Sequence, residues 1–158
     1  VYPGTGLFEG TNISEGRGTE RPFEVVGAPW IDGAKWADML NGLQLPGVVF
    51  SATTFTPIHL PEKAPNPKYR DQLCNGVQVS ITDRKSFQAV SAGVAMLWSA
   101  KELCPDRFEC TKHLDSLWGS ERLREQLKDR TDWRQILSEV QIEKADFFSV
   151  RNPLLLYR

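Results

Sequence analysis

The sequence contains little cysteine and little histidine, which restricts the kinds of site that it can form. Three cysteines are too few for the disulfide framework of a small secreted scaffold. Cys104 and Cys110 are close enough in sequence to bridge a short loop in an oxidising compartment, and two free thiols are the open alternative. The two histidines, His59 and His113, do not combine with these cysteines at the spacing of a zinc site. We therefore expect no metal and no cofactor.

The sequence also has no large surplus of charge of one sign and no long apolar runs. The 19 Lys and Arg residues nearly balance the 20 Asp and Glu residues, and no basic run is present, so we expect no nucleic-acid partner. No apolar run approaches the ~18 residues that a membrane-spanning helix needs, so we expect no membrane span. A neutral ligand suits this charge balance better than a highly charged one.

The chain has the length and the patterning of one folded domain. With 158 residues and 41% apolar composition it can bury a hydrophobic core without the help of disulfide bonds or metal ions. Alternation and helical periodicity predict strands at 5–8, 23–27, 48–56 and 76–82, helices at 33–43, 84–103, 120–129 and from 131 onward, and a final strand or strap at 154–157. We predict a mixed α/β (α+β) fold, with a mixed sheet of about four to six strands packed with three to five helices in a single auxiliary-type domain.

Side chains that can cap helices support four of these boundaries. Asp32 is the predicted N-cap of the helix at 33–43, and Asp83 or Ser86 is that of the helix at about 84–103. The predicted N-caps of the last two helices are Ser120 and then Thr131 or Asp132.

A polar, glycine-rich segment occupies residues 9–21, and we call it the polar loop. It contains four hydrogen-bonding side chains, three carboxylates, two guanidinium groups and three glycines. This composition is too polar and too rich in glycine for the interior of a helix or a strand. Because better-patterned segments flank it, we expect a binding loop presented by a rigid scaffold.

The ionisable residues of the polar loop suggest two kinds of chemistry. Glu9, Glu15 and Glu20 could supply the paired carboxylates of glycoside hydrolysis, ~5–10 Å apart, although glutamates in exposed loops are often bystanders. Arg17 lies between two glycines, where its guanidinium could bind a carboxylate of a ligand. An internal salt bridge that fixes the loop is the equally open alternative for Arg17.

A proline-rich segment at 57–73 has no regular pattern. It carries four prolines and the cations Lys63, Lys68 and Arg70. Irregular segments of this length in a compact domain usually have a use. It could line a cleft, contact a missing partner domain, or be a loop that extends into solvent.

Several motifs resemble those of a known family. Residues 7–19 (LFEGTNISEGRGT), followed by 22–23 and 27–30, closely resemble a signature of the exo-β-N-acetylmuramidases of the NamZ type. Further matches follow in the expected order, at 55–57, 74–78, 82–84, 118–120 and 154–157. The likeness spans essentially the whole chain.

The resemblance implies a bacterial, peptidoglycan-recycling glycoside hydrolase. Members release N-acetylmuramic acid from non-reducing ends, in a cleft between an N-terminal Rossmann-like domain and a smaller C-terminal auxiliary domain. Residues 1–158 resemble the C-terminal domain only. We therefore expect a missing N-terminal domain, which carries the favoured catalytic acid, and an isolated chain without activity. The implied partners are that domain and a muropeptide or another glycan that contains N-acetylmuramic acid, and the implied location is secreted or periplasmic.

The same resemblance supplies candidate site residues. The side chains that match the shared motif are candidates for substrate binding in the cleft wall: Glu9, Thr11, Asn12, Ser14, Arg17 and Thr19. Arg17 is expected near the muramyl carboxylate. Glu9 is a weak catalytic candidate, and no other catalytic residue is assigned. The alternative is a non-catalytic carbohydrate-binding or interaction domain whose polar loop braces its own fold.

Overall fold

Helices surround one small sheet in this computed structural model. The structure describes residues 1–156, apart from the side chains of residues 143 and 146. Its elements are, in order, α1 (Tyr2–Thr5), a 3-10 helix (Gly6–Gly10), β1 (Val25–Ala28), α2 (Gly33–Gly42), β2 (Val48–Phe55), β3 (Cys74–Ile81), α3 (Ala89–Leu103), α4 (His113–Trp118), α5 (Arg122–Lys128), α6 (Trp133–Arg151) and a second 3-10 helix (Asn152–Leu154). None of the described helices is long and apolar enough to cross a membrane.

The sheet has three strands within the described residues, in the order β1-β3-β2. Both pairings are antiparallel, with Val26 opposite Val77 and Phe50 opposite Val79. The predicted mixed α+β class is confirmed. The predicted count of four to six strands in a mixed sheet is wrong, because two of the expected strands do not form. The six α-helices of the described residues also exceed the three to five that were predicted.

The core lies where α2 and α3 pack beside the sheet. Trp36 and Leu40 of α2 are fully buried, and the Trp36 indole Nε1 donates to Ser99 Oγ of α3 at 2.8 Å. Burying side chains of this size contributes roughly 1.5–3 kcal/mol each. Asp32 caps α2 as predicted, since its carboxylate accepts a hydrogen bond from Lys35 N at 3.1 Å.

The predicted strand at 5–8 is wrong. This segment belongs to α1 and the first 3-10 helix, and α1 packs closely on α3. A Cβ atom added at Gly93 would lie 2.5 Å from Gly4 O, so only glycine allows this approach. A four-residue pattern cannot reveal such a long-range contact.

Two helices begin later than predicted. Asp83 accepts hydrogen bonds from Lys85 N at 3.0 Å and Ser86 Oγ at 2.8 Å. These polar groups form a separate turn, and α3 begins only at Ala89. Similarly, Ser120 does not cap α5, which begins at Arg122.

The start of α6 was predicted correctly, and the structure of the segment that follows α6 was not. Asp132 caps α6 by accepting from Arg134 N at 2.8 Å, which confirms one of the two predicted caps. The final strand or strap expected at 154–157 does not form at 154–156. Leu154 ends a 3-10 helix, and Leu156 is 92% exposed. Residue 157 lies outside the described residues.

Candidate functional site

The polar loop is tied by its backbone to two other parts of the chain. Ser14 and Gly27 exchange backbone hydrogen bonds of 2.8 and 2.9 Å, which adds the loop to β1. Ile58 N donates to Gly18 O at 2.9 Å, which joins the loop to the proline-rich segment. The loop is therefore a fixed part of the domain.

Asn12 connects the loop to the segment that precedes α4. Its Nδ2 donates to Arg107 O at 2.7 Å, and its Oδ1 accepts from Glu109 N at 3.0 Å. The Tyr69 hydroxyl donates to Asn12 O at 2.6 Å. The Asn12 amide is thus engaged inside the domain.

The three hydroxyl side chains of the loop make local hydrogen bonds. Thr11 Oγ1 donates to Phe8 O at 2.9 Å, Ser14 Oγ accepts from Gly16 N at 3.2 Å, and Thr19 Oγ1 donates to Gly16 O at 2.6 Å. Thr11 and Ser14 are buried. These hydroxyls hold the shape of the loop.

Two glycines of the loop adopt left-handed backbone conformations. The φ angle is +78° at Gly16 and +82° at Gly18. A Cβ atom would lie 2.5 Å from Val25 O at the first position and 2.5 Å from Ile58 O at the second. Any larger residue would strain the backbone and displace the segments that the loop contacts.

Arg17 and Glu9 form an ion pair at the surface of the loop. The Arg17 Nε and Nη2 groups both donate to Glu9 Oε1, and the Nε distance is 2.9 Å. This hydrogen bond raises the pKa of Arg17. Within the described residues, Arg17 Nη1 and Glu9 Oε2 make no hydrogen bond, and the Arg17 side chain is 40% exposed. The internal salt bridge is therefore present, and one guanidinium edge stays available to a ligand.

Behind this pair, Glu15 is bound by Lys68 of the proline-rich segment. Glu15 is 4% exposed, and Lys68 Nζ donates to its Oε2 at 3.0 Å. Glu15 Oε1 lies 3.6 Å from Arg17 Nε. A buried carboxylate needs such cationic partners to offset its lost hydration.

A surface depression of about 390 Å³ lies between the polar loop and the proline-rich segment. Its charged and titratable lining side chains are Glu9, Glu15, Arg17, Lys63, Lys68 and His113. Prolines at 65 and 67 line it as well. Residues 63–68 of the proline-rich segment therefore line this depression, as the first of the three uses left open for the segment requires.

The predicted site residues separate into two groups. Glu9 and Arg17 lie at the depression, whereas Thr11, Asn12, Ser14 and Thr19 are not among its lining residues and support the loop from behind. The sequence interpretation missed Lys68, Lys63 and His113. The available signal for the two lysines was the cluster of cations in the proline-rich segment.

The comparison with known proteins covers the whole site. The family described as "Exo-beta-N-acetylmuramidase NamZ, C-terminal" matches residues 1–157. The chain belongs to the NamZ family. Over 159 aligned residues it is 40% identical to the peptidoglycan beta-N-acetylmuramidase NamZ of Bacillus subtilis (strain 168). This match covers 99% of the present chain and 37% of that relative.

Solved structures support the same NamZ-family fold. One DUF1343 family protein from Bacteroides fragilis NCTC 9343 superposes with a TM-score of 0.84 at 27% identity, covering 99% of this chain and 41% of the other. A second protein of that family from the same organism has a TM-score of 0.68 at 26% identity, covering 99% and 40%. The resemblance found in the sequence is confirmed. The chain spans well under half the length of these relatives, and a Rossmann-like N-terminal domain stays a prediction.

The carboxylates of this NamZ-family site suit positioning better than proton transfer. Glu9 and Glu15 each accept charge-assisted hydrogen bonds from a cation. A general acid must instead carry a proton aimed at the glycosidic oxygen. The exposed Glu20 does not line the depression. The arrangement can hold an anion at Arg17 and accept a sugar hydroxyl at Glu9 Oε2.

The cysteines of this NamZ-family chain are free thiols, so the alternative of a bridge between Cys104 and Cys110 is not what the structure contains. Burial raises the pKa of Cys110 to about 11. Among the described side chains, no cluster of three or more His, Cys, Asp or Glu residues could hold a metal ion.

Proposed function

We propose that this chain is the C-terminal part of an exo-acting β-N-acetylmuramidase, a hydrolase that releases N-acetylmuramic acid from non-reducing ends of peptidoglycan fragments. Membership of the NamZ family over residues 1–157 carries the proposal. A Rossmann-like N-terminal domain supplies the catalytic acid and the opposite wall of the cleft. The isolated chain therefore lacks activity. The full-length protein acts in a secreted or periplasmic location, where its peptidoglycan substrate lies.

In this proposal the polar loop forms one wall of the sugar site. The unoccupied edge of Arg17 binds the lactyl carboxylate of the muramyl residue, because a guanidinium presents paired N–H donors to a carboxylate. Glu9 keeps the guanidinium in place through its Oε1 and accepts a sugar hydroxyl with its Oε2. Thr11, Asn12, Ser14 and Thr19 preserve the loop conformation on which both contacts depend.

Kinetic measurements on the full-length protein test the proposal. Wild-type full-length protein should hydrolyse a muramyl glycoside, and the isolated chain should not. Arg17→Ala in the full-length protein should lower kcat/KM at least about tenfold, equivalent to about 1.4 kcal/mol of transition-state binding.

Arg21→Ala is the matched control. Arg21 is an exposed arginine of the same loop and does not line the depression, so its replacement should leave kcat/KM within about twofold. Equal kinetics for the Arg17→Ala variant and wild type would refute the role of the loop.

A second candidate function follows from the internal bonds of the loop. Arg17 and Asn12 both have partners inside the domain, as expected if the loop only braces a non-catalytic carbohydrate-binding or interaction domain. In that case Arg17→Ala would lower the melting temperature and leave kcat/KM unchanged. Measuring both quantities on the same variant separates the two candidates.

A further inference from the structure

The Lys68 ammonium group lies in a cage of oxygen atoms beneath the polar loop. Lys68 Nζ donates to Phe8 O at 2.7 Å, Ile13 O at 3.0 Å and Glu15 Oε2 at 3.0 Å. Glu9 O lies at 3.4 Å. Because an ammonium group has three N–H donors, the three shorter contacts use all of them. The side chain thus takes the place that a bound cation would have in a cage of this kind.

The cage fixes the backbone path of the loop. The carbonyl groups of Phe8 and Ile13 lie on either side of the turn that carries Glu9, and one ammonium group binds both. Within the described residues Ile13 O accepts no other hydrogen bond. Without Lys68 this buried carbonyl would lose its partner, which costs free energy.

The cage also determines which partner Arg17 binds. Glu15 is buried between Lys68 and Arg17, with its Oε1 3.6 Å from Arg17 Nε. If the Lys68 charge is removed, Arg17 is the remaining cation that contacts this carboxylate among the described residues. The guanidinium is then drawn from Glu9 towards Glu15, because an uncompensated buried carboxylate is strongly unfavourable.

We propose that Lys68 is a positioning residue, whose ammonium group fills a cation cage and thereby holds Arg17 against Glu9 at the mouth of the depression. The effect on catalysis rests on the proposed function, whereas the cage itself does not. A direct consequence is that the empty cage of Lys68→Ala binds a free primary ammonium ion.

Chemical rescue of the isolated chain tests the cage. Lys68→Ala removes three carbons and the ammonium group, and n-propylammonium supplies the same atoms. The melting temperature of Lys68→Ala should fall below that of the wild type and recover saturably with n-propylammonium. Tetramethylammonium at equal ionic strength should not restore it, because that ion has no N–H donors. Equal effects of the two ions, or no effect of either, would overturn the cage.

Kinetics of the full-length protein test the positioning role. Measured well below its melting temperature, Lys68→Ala should raise KM for a muramyl glycoside at least about tenfold and change kcat less than about threefold, since ground-state and transition-state binding are lost together. n-Propylammonium should lower KM again. Arg70→Ala is the control, because Arg70 is an exposed cation of the same segment that pairs only with its neighbour Asp71 among the described residues. A folded Lys68→Ala variant with wild-type KM would overturn the role.

Failure of this inference can be distinguished from failure of the proposed function. If the wild-type full-length protein does not hydrolyse muramyl glycosides, the proposed function fails and the rescue of the melting temperature still decides the cage. If Lys68→Ala folds only with n-propylammonium, the cage is supported. Lys68→Met keeps the length of the side chain but not its charge. The inference is refuted if Lys68→Ala stays unfolded with n-propylammonium and Lys68→Met folds with the wild-type KM.

Discussion

Gly18 gives a stability prediction whose size can be worked from the structure. Its φ angle of +82° costs an alanine roughly 1–2 kcal/mol relative to glycine. The new Cβ atom would lie 2.5 Å from Ile58 O and 3.0 Å from Pro67 Cγ. Relief of that contact separates the loop from the proline-rich segment and breaks the 2.9 Å hydrogen bond from Ile58 N to Gly18 O, at a cost of about 1 kcal/mol. Gly18→Ala should therefore lower the free energy of unfolding by about 2–3 kcal/mol.

Urea denaturation followed by far-UV circular dichroism measures this change, and Gly42→Ala is the matched control. Gly42 is the last residue of α2, and a Cβ atom there meets no other atom within 4 Å. Because alanine favours the helix, Gly42→Ala should stabilise the domain by about 0.5–1 kcal/mol. The two substitutions should have opposite signs. A Gly18→Ala variant within about 0.5 kcal/mol of the wild type would refute the reasoning.

Two further predictions concern a hydrogen-bonded side chain and a thiol. Asn12→Ala should lower the free energy of unfolding by about 1–3 kcal/mol in the same assay, because Arg107 O and Glu109 N lose their partner; wild-type stability would contradict this. Burial raises the pKa of Cys110 from 9.0 to about 11, so the protonated thiol should react slowly with iodoacetamide at pH 8 until the chain is unfolded. The stability that this shift contributes is present below pH 9 and is lost as the pH rises towards 11. Rapid alkylation of the folded chain at pH 8, detected by mass spectrometry, would refute the assignment.

Local signals predicted the elements that depend on local structure. Alternating side chains identified β2 and β3, and the acceptor side chains of Asp32 and Asp132 marked the starts of α2 and α6. The helix α3 begins later than its predicted cap, because Asp83 uses its carboxylate in a separate turn. A carboxylate that can cap a helix can therefore also close a separate turn ahead of the helix.

Elements that depend on distant contacts were not predicted. The helix α1 packs on α3 through the close approach of Gly4 to Gly93, about ninety residues away, and its short sequence gave no sign of this partner. The final strand or strap expected at 154–157 had only its apolar composition in its favour, and residues 154–156 are exposed at the surface. Apolar composition alone did not show whether this segment would pack against the rest of the domain.

Only part of the site was predicted, again because some of its contacts join residues that are distant in sequence. The composition of the polar loop identified Arg17 and Glu9, which the structure places together at the depression. Lys68 was missed as a site residue because its partners Phe8, Ile13 and Glu15 are 60, 55 and 53 residues away in sequence. A lysine that follows two prolines indicates irregular backbone, and it does not indicate which oxygens the ammonium group will bind.

The most direct test of the proposed sugar site is a crystal structure of the full-length protein with bound N-acetylmuramic acid. The lactyl carboxylate should lie within about 3.2 Å of the Arg17 guanidinium, with the sugar between the polar loop and the preceding domain. A well-defined sugar that contacts no residue of the polar loop would contradict it.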